Sequence, residues 1–401
     1  MQKNALFAIA AVAVLAIAGI GAALAFSGGS GEGRFEGDIT DGAGRTVKAP
    51  ESLDRGIVTF GSNDPLRFVS YFNMNGYVKE VDKGDVTDPR NGRAYSYAYD
   101  YTGLPYHSDN AIANEDVERV GKMNPSLIVV QNGLYSSYRS NVDALAERTC
   151  VVVLYSVDAP FWDSSFKVSE AFADNLDMLG KVLGRQSRAD ELKSGIQGII
   201  DGIRGDVSGR SSSDSVYVAG VTWMGSNSLD ATFPTYAPLI LVGGNNAYRG
   251  SGAARVTLTP EEVAMLDKDI VVIDPSSSDK IIGNNGSQAV LAHIYGVNEG
   301  SANKIKLYAV MPIVWDSHNY DCVLAGSYYL ESILYGIGSH EDAVSKMNGV
   351  FDLFYGSDGK DVLSKMSAFF EGKSGANGVD LPLMHELKVV RDGGGYSLAR
   401  A

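Results

Sequence analysis

The stretch "SRADELKSGIQGIIDGIRGDV" (187–207) decides the architecture. Leu192, Ile196, Ile199 and Ile203 recur three or four positions apart, the spacing of one face of a helix. Ser187 is placed to cap its start, with Asp190 and Glu191 in the first turn. From Arg188 to Arg204 the helix spans about 25 Å at ~1.5 Å per residue. Runs of a different kind lie on either side. "GIVTFGSND" (56–64), "SLIVVQNG" (126–133) and "CVVVLYS" (150–156) precede it. "SVYVAGVTW" (215–223), "DIVVIDPSS" (269–277) and "IKLYAV" (305–310) follow. These are continuously apolar and β-branched, as expected of strands covered on both faces of a parallel sheet. Helical patterns such as "NVDALAER" and "PEEVAML" alternate with them, the mark of an α/β fold. The fold expected is therefore α/β, with two Rossmann-like lobes of mainly parallel sheet joined by a single long backbone helix.

Two passages support a lobe on each side. Glu118 opens "ERVGKMNPSLIVV" and Glu261 opens "EEVAMLDKDIVVI"; aligned without gaps they give the same helix–loop–strand unit. The expected divisions are an N-terminal lobe (34–162), a helical connector containing the backbone helix (163–213), a C-terminal lobe (214–372) and a Gly-rich tail (373–401). Residues 1–33 form a separate leader. Lys3 precedes an unbroken apolar or small stretch from Ala5 to Phe26, followed by "SGGSGEG". That stretch is long enough to cross a bilayer, which takes about 20 residues. It reads either as a membrane anchor or as a signal peptide cut after Ala23-Leu24-Ala25, and both place the rest of the chain outside the cytoplasm.

The 401 residues carry a formal net charge of −14, which argues against nucleic acid or an anionic membrane surface as partner. The two cysteines, Cys150 and Cys322, adjoin different apolar runs, and burial habit favours free thiols over a disulfide. The five histidines, His107, His293, His318, His340 and His385, show no H-x-x-H or H-x-x-x-H spacing, so no metal site is expected. No G-x-S-x-G elbow or phosphate-loop motif occurs, so nothing singles out an enzyme; "GGNNAYRGSG" (243–252) reads as a loop.

The ordered set of segments resembles a known family. "ITDGAGRTVKAP" (39–50) followed by "RGIVTFG", then "NPSLIVV" and "FADNLDMLGKVLGRQSRADEL", is similar to the iron-siderophore, haem and cobalamin binding proteins of ABC importers. "VYVAGVTWMGSNSLDATFPTYAPL" and "MPIVWDSHNYDCVLAGSYYLESILYG" resemble an archaeal branch of that family, usually labelled iron transport. The resemblance runs with gaps from about Ile39 to Gly356. It implies a ligand cleft between the lobes, an ABC permease with its ATPase as partners, and a transported iron chelate, haem or corrinoid rather than a cofactor. It also implies one docking glutamate per lobe, which the repeat places at Glu118 and Glu261; the plain alternative is that each simply favours the positive end of a helix.

The cleft would be lined where strands end. "MPIVWDSHNYD" (311–321) puts Trp315, His318, Asn319 and Tyr320 after a strand of the second lobe, and "GVTWMGSN" places Trp223 and Met224 likewise. In "YSYAYDYTGLPY" (95–106), period-two spacing sets Tyr95, Tyr97, Tyr99 and Tyr101 on one side of an extended segment. Trp162 is a further candidate, with Phe161 beside it. Broad chelates are held by aromatic area with a few polar groups; the competing reading packs each aromatic inside its own lobe. Two other functions stay open: a membrane-anchored extracellular α/β hydrolase, and a binding protein for bare metal ions or oxyanions.

Overall fold

The structure is a computed structural model and describes residues 33–61, 64–87, 92–221, 228–250, 252, 255–277, 285–315, 317–357, 361–371 and 381–401. Arg34–Ala401 forms one compact unit. Its first sheet holds β3 (Ile57–Phe60), β4 (Val78–Asp82), β5 (Tyr106–His107), β6 (Leu127–Val130) and β7 (Cys150–Val153) in the order β5-β4-β3-β6-β7. Every pair in it is parallel. The second sheet runs β10 (Asn245–Asn246), β8 (Ser215–Ala219), β12 (Ile270–Ile273), β13 (Lys306–Ala309), β16 (Glu386–Asp392), β17 (Gly395–Arg400). Its first four strands are parallel and its last two antiparallel, while β9 (Ala231–Thr232) and β11 (Val256–Thr257) form a separate antiparallel pair. All six apolar runs read as strands are strands. The repeated unit falls on equivalent places: β6 lies beside β3 in one sheet as β12 lies beside β8 in the other. Leu127 and Ile270, which begin those strands, follow Glu118 and Glu261 at the same distance in sequence.

A short antiparallel hairpin, β1 (Ile39–Thr40) with β2 (Thr46–Val47), precedes the first sheet. Fully buried Asp41 closes it by accepting the Ala43 and Arg45 N–H groups at 3.0 and 2.9 Å. At the other end, the segment set apart as a tail supplies β16 and β17. Leu387 and Leu398 bury themselves beside β12 and β13 in the second lobe's outer core. Gly393 and Gly394 make the turn at φ 54° and 118°, backbone conformations that side chains oppose.

The backbone helix spans Gln186–Asp206, 21 residues and about 30 Å. It begins before Ser187, so Ser187 lies within its first turn and does not cap it. Its buried stripe is Ala189, Leu192, Ile196, Ile200 and Ile203, while Ile199 is only half-buried. The expected register is thus one residue off in its fourth turn, because the helix is held from two sides. The helix Glu170–Leu183 crosses at Gly180, where a Cβ would stand 2.8 Å from that of Ala189. The helix His340–Tyr355 presses in at Gly195, where a Cβ would meet Leu353 at 2.6 Å.

One apolar core runs from the first lobe through these helices into the second. It holds Ile57, Leu127 and Val152 from one sheet, Ile196 and Ile200 from the connector, and Val216, Val218 and Val272 from the other. Arg188 pins the same junction: Nε donates to the Tyr71 carbonyl at 3.0 Å and Nη2 to the Phe354 carbonyl at 3.1 Å. Among the described residues no helix is long and apolar enough to cross a membrane; the proposed leader lies outside them. Because Ile200 and not Ile199 faces the shared core, Ile200→Ala is expected to destabilise the protein by about 2–5 kcal/mol in urea unfolding. Ile199→Ala should cost clearly less, and equal losses would contradict this register.

Candidate functional site

The two sheets meet at their carboxyl ends, and an arginine makes the connection. Arg67 sits in the helix Asp64–Tyr71, directly beyond β3, and is fully buried. Its Nη1 lies 3.0 Å from Asp64 Oδ1, within its own lobe. The guanidinium then crosses to the second lobe. Nη1 donates to the His318 carbonyl, and Nη2 donates to Asn319 Oδ1 at 2.5 Å. The rings of Tyr95 and Tyr320 lie 5.7 and 5.6 Å from its central carbon. Burial alone would lower its proton affinity, but Tyr71, Asp64, Tyr95 and Asp321 outweigh burial and raise it, so the cation is retained.

The acceptors stand on a tight hairpin after β13, formed by β14 (Val314–Trp315) and β15 (Ser317–His318). Asn319 is locked from both ends: its N–H reaches the Ile313 carbonyl at 2.9 Å and its Nδ2 the Pro312 carbonyl at 3.0 Å. Gly92 of the first lobe packs on this corner, where a Cβ would stand 2.8 Å from Asn319 Nδ2 and 3.2 Å from Pro312 Cβ. No side chain fits there without displacing the hairpin. Asp274, beyond β12, braces the hairpin from behind by accepting the Ile313 N–H at 3.1 Å and the Ser276 N–H at 2.9 Å. Burial pushes its carboxyl up to about 6, while those donors and Tyr236 pull it down.

His318 is largely buried, its ring 6.4 Å from that of Phe233. Burial, with Arg255 and Arg67 adding repulsion, brings its imidazole down to about 4, so it is neutral at neutral pH. The structure therefore joins His318 and Asn319 of the sequence candidates to Arg67, Gly92 and Arg255, which the sequence did not single out.

The other candidates are placed differently. Tyr320 is buried among Phe68, Phe161 and Phe172, at centroid distances of 5.9, 5.1 and 4.9 Å. Trp162 is 5 % exposed and packs on Phe161 at 5.0 Å, continuing that cluster. The extended tyrosine strand is corrected: Tyr95–Ala98 is a helical turn, and Tyr95, Tyr97, Tyr99 and Tyr101 are all buried. Tyr97 packs 5.8 Å from Phe369. Tyr99 donates to Asn73 Oδ1 at 2.5 Å, and burial pushes its phenol up to about 12. Both thus face the helices Val362–Glu371 and His340–Tyr355 and serve the junction between lobes. The period-two reading failed because Tyr95 donates to buried Asp85 at 2.7 Å and winds the segment inward. Trp223 and Met224 lie outside the described residues, as does the side chain of Trp315. Glu118 and Glu261 are exposed, each in the first half of its helix, Asn114–Met123 and Pro260–Met265. Cys150 and Cys322 are free thiols. No three His, Cys, Asp or Glu side chains gather to hold a metal among the described residues.

Two mainly parallel sheets joined by one long helix and facing each other at their carboxyl ends are an arrangement shared with solved structures. An ABC transporter solute binding protein from Sulfurospirillum deleyianum superimposes with a TM-score of 0.54 at 16% identity, over 82% of this chain and 98% of that one. The chain has the fold of ABC-transporter solute-binding proteins. The Haemophilus influenzae molybdate periplasmic binding protein gives a TM-score of 0.56 at 14% identity, covering 80% and 98%. A TroA-like periplasmic binding protein from Veillonella parvula gives 0.53 at 17%, covering 80% and 96%. By sequence, a model of the periplasmic binding protein family matches residues 96–293. None of the curated proteins matches the chain.

The neutral state of His318 has a measurable consequence. Below its ordinary value of 6.5 the unfolded chain binds a proton at this ring that the folded chain refuses until about pH 4. Stability is therefore lost as pH falls through that window, by ~1.4 kcal/mol per unit and about 3 kcal/mol in all. Asp274 acts in the opposite sense between its ordinary 3.8 and about 6, since the folded form holds a proton there that the unfolded form has released. Comparing His318→Gln with the parent protein isolates the histidine. The variant should gain relative stability in chemical denaturation as pH is lowered from 6.5 to 4; parallel curves would show that the ring is protonated in the folded state.

Proposed function

We propose that this protein is the extracytoplasmic solute-binding component of an ABC importer, capturing its ligand between the two lobes and presenting it to a membrane permease. The observation that supports this most is the meeting of both sheets at their carboxyl ends, where α/β folds bind ligands, bridged by Arg67 and the His318–Asn319 corner. The match of the periplasmic binding protein family to residues 96–293 points the same way. A permease with its ATPase is the partner, docked through Glu118 and Glu261, and residues 1–33 carry the chain through or to the membrane. It catalyses nothing itself.

The ligand we favour is a ferric chelate, haem or corrinoid. In its support, the backbone of Trp315 lies in the hairpin beyond β13, and Trp223 and Met224 follow β8 in sequence; large aromatic side chains are the residue type that holds a broad apolar ligand. A small oxyanion is the second reading, favoured by two arginines acting on His318 and by the molybdate named for the Haemophilus protein. Protein purified from its native host should be coloured if it retains a chelate, haem or corrinoid. Tryptophan fluorescence should report tight binding of at least one of these or of molybdate. Trp315→Ala is expected to weaken a broad ligand by about 1–3 kcal/mol, ten- to a hundredfold, without unfolding the chain. A variant that binds as tightly as the parent would remove Trp315 from the site.

The docking glutamates give a separate test. Each surface pair with a permease arginine contributes only about 0–1 kcal/mol, so the double variant Glu118→Ala/Glu261→Ala should keep full ligand affinity yet slow uptake by whole cells. Unchanged uptake would leave the two residues as ordinary helix-start acids.

A further inference from the structure

His318 Nε2 is buried and has no hydrogen-bond partner among the described residues. Buried polar atoms are nearly always bonded, so an orphan at a lobe junction points to a group that the protein itself does not supply. The surroundings define that group. Phe233 lies against the imidazole at 6.4 Å and also under the Arg255 guanidinium, 5.9 Å from its central carbon. Arg67 reaches the same residue from the other lobe, through the His318 carbonyl. Among the described residues, both charges that act on the ring are thus cations. Three neighbouring carboxylates among the described residues are engaged elsewhere: Asp64 with Arg67, Asp321 with the Tyr355 hydroxyl, and Asp274 with Ser276 and Ile313. A neutral imidazole whose Nε2 bears the proton is a donor, here set in a positive field.

We propose that the ligand places an anionic oxygen on His318 Nε2, between the guanidinium groups of Arg255 and Arg67. The shared chemistry is that of a catecholate chelate, a carboxylate side arm or a small oxyanion, and it disfavours neutral hydroxamate chelates. This deepens, and rests on, the reading of the chain as a solute-binding protein. His318 then selects charge. Binding an anion there also offsets the burial, and the lesser repulsion, that keep the ring neutral, so capture draws a proton toward His318.

The full chain should be titrated, by fluorescence quenching, with a trianionic ferric tris-catecholate, a neutral ferric tris-hydroxamate, haem, cyanocobalamin and molybdate. The expected result is that an anionic probe binds at least about tenfold tighter than the neutral chelate and weakens steeply with salt. His318→Leu should lose about tenfold or more for that anionic probe, and His318→Gln, which retains a donor, should recover most of it. Arg255→Gln should lose affinity for the same probe and serves if His318→Leu does not fold. Tightest binding of a neutral probe, or an anionic probe indifferent to both positions, would overturn the subsite while leaving the solute-binding function intact. Failure of all five probes to bind would overturn that function and the subsite with it.

Discussion

Arg67 sets the constraint on which the junction is built. A guanidinium stripped of water is tolerated only where charge and hydrogen-bond partners replace the solvent. Arg67 finds Asp64 in its own lobe and then has to borrow a carbonyl and an amide oxygen from the other. Removing one side of such a buried arrangement typically costs about 3–5 kcal/mol, because the remaining partners stay buried and unpaired. The β14–β15 hairpin, the close approach at Gly92 and the bracing of Ile313 by Asp274 all follow from holding those two acceptors still.

A second set of contacts makes the lobes one body. Arg188 ties the Tyr71 end of the first lobe's helix to the Phe354 end of His340–Tyr355, and Tyr71 packs 4.4 Å from Phe354. Tyr97 and Tyr99 extend this seam to Phe369 and to the Tyr355 carbonyl. With the backbone helix buried along Leu192, Ile196, Ile200 and Ile203, bending would break i→i−4 hydrogen bonds and open a continuous core. For a ligand captured between the lobes, such a core favours local side-chain and loop adjustment over wide hinge opening.

The sequence carried the frame well and the junction poorly. Six strands were legible because two-sided burial writes an unbroken β-branched run. β4 was not, since "VKEVD" mixes Lys79 and Glu80 into a strand whose Glu80 is buried against His107 and Arg119. The hairpin β16–β17 was hidden by glycines that serve its turn. The tyrosine segment misled because alternation fixes a face only if the chain is extended, and Asp85 and Arg93 pull it into a turn. Arg67 had no signal at all. In "DPLRFVSY" it reads as the polar position of an amphipathic helix, and only the approach of residues 318–319, some 250 positions away, makes it a buried cation. His318 and Asn319 were singled out because a polar pair after an apolar run marks a strand end, which is local information.

The matching order of the two sheets has a further consequence for how such a protein would work. In a right-handed β–α–β crossover the helix runs antiparallel to its strands, so its amino-terminal half lies toward their carboxyl ends. Glu118 and Glu261 occupy the amino-terminal halves of the helices that lead into equivalent strands, β6 and β12. Both therefore lie toward the end of their sheets that carries the Arg67–His318 junction. A permease gripping the two glutamates would straddle the mouth between the lobes. Since the shared core resists large opening, the force available to loosen a bound ligand would act across the junction itself, on the few hydrogen bonds that Arg67 makes to His318 and Asn319.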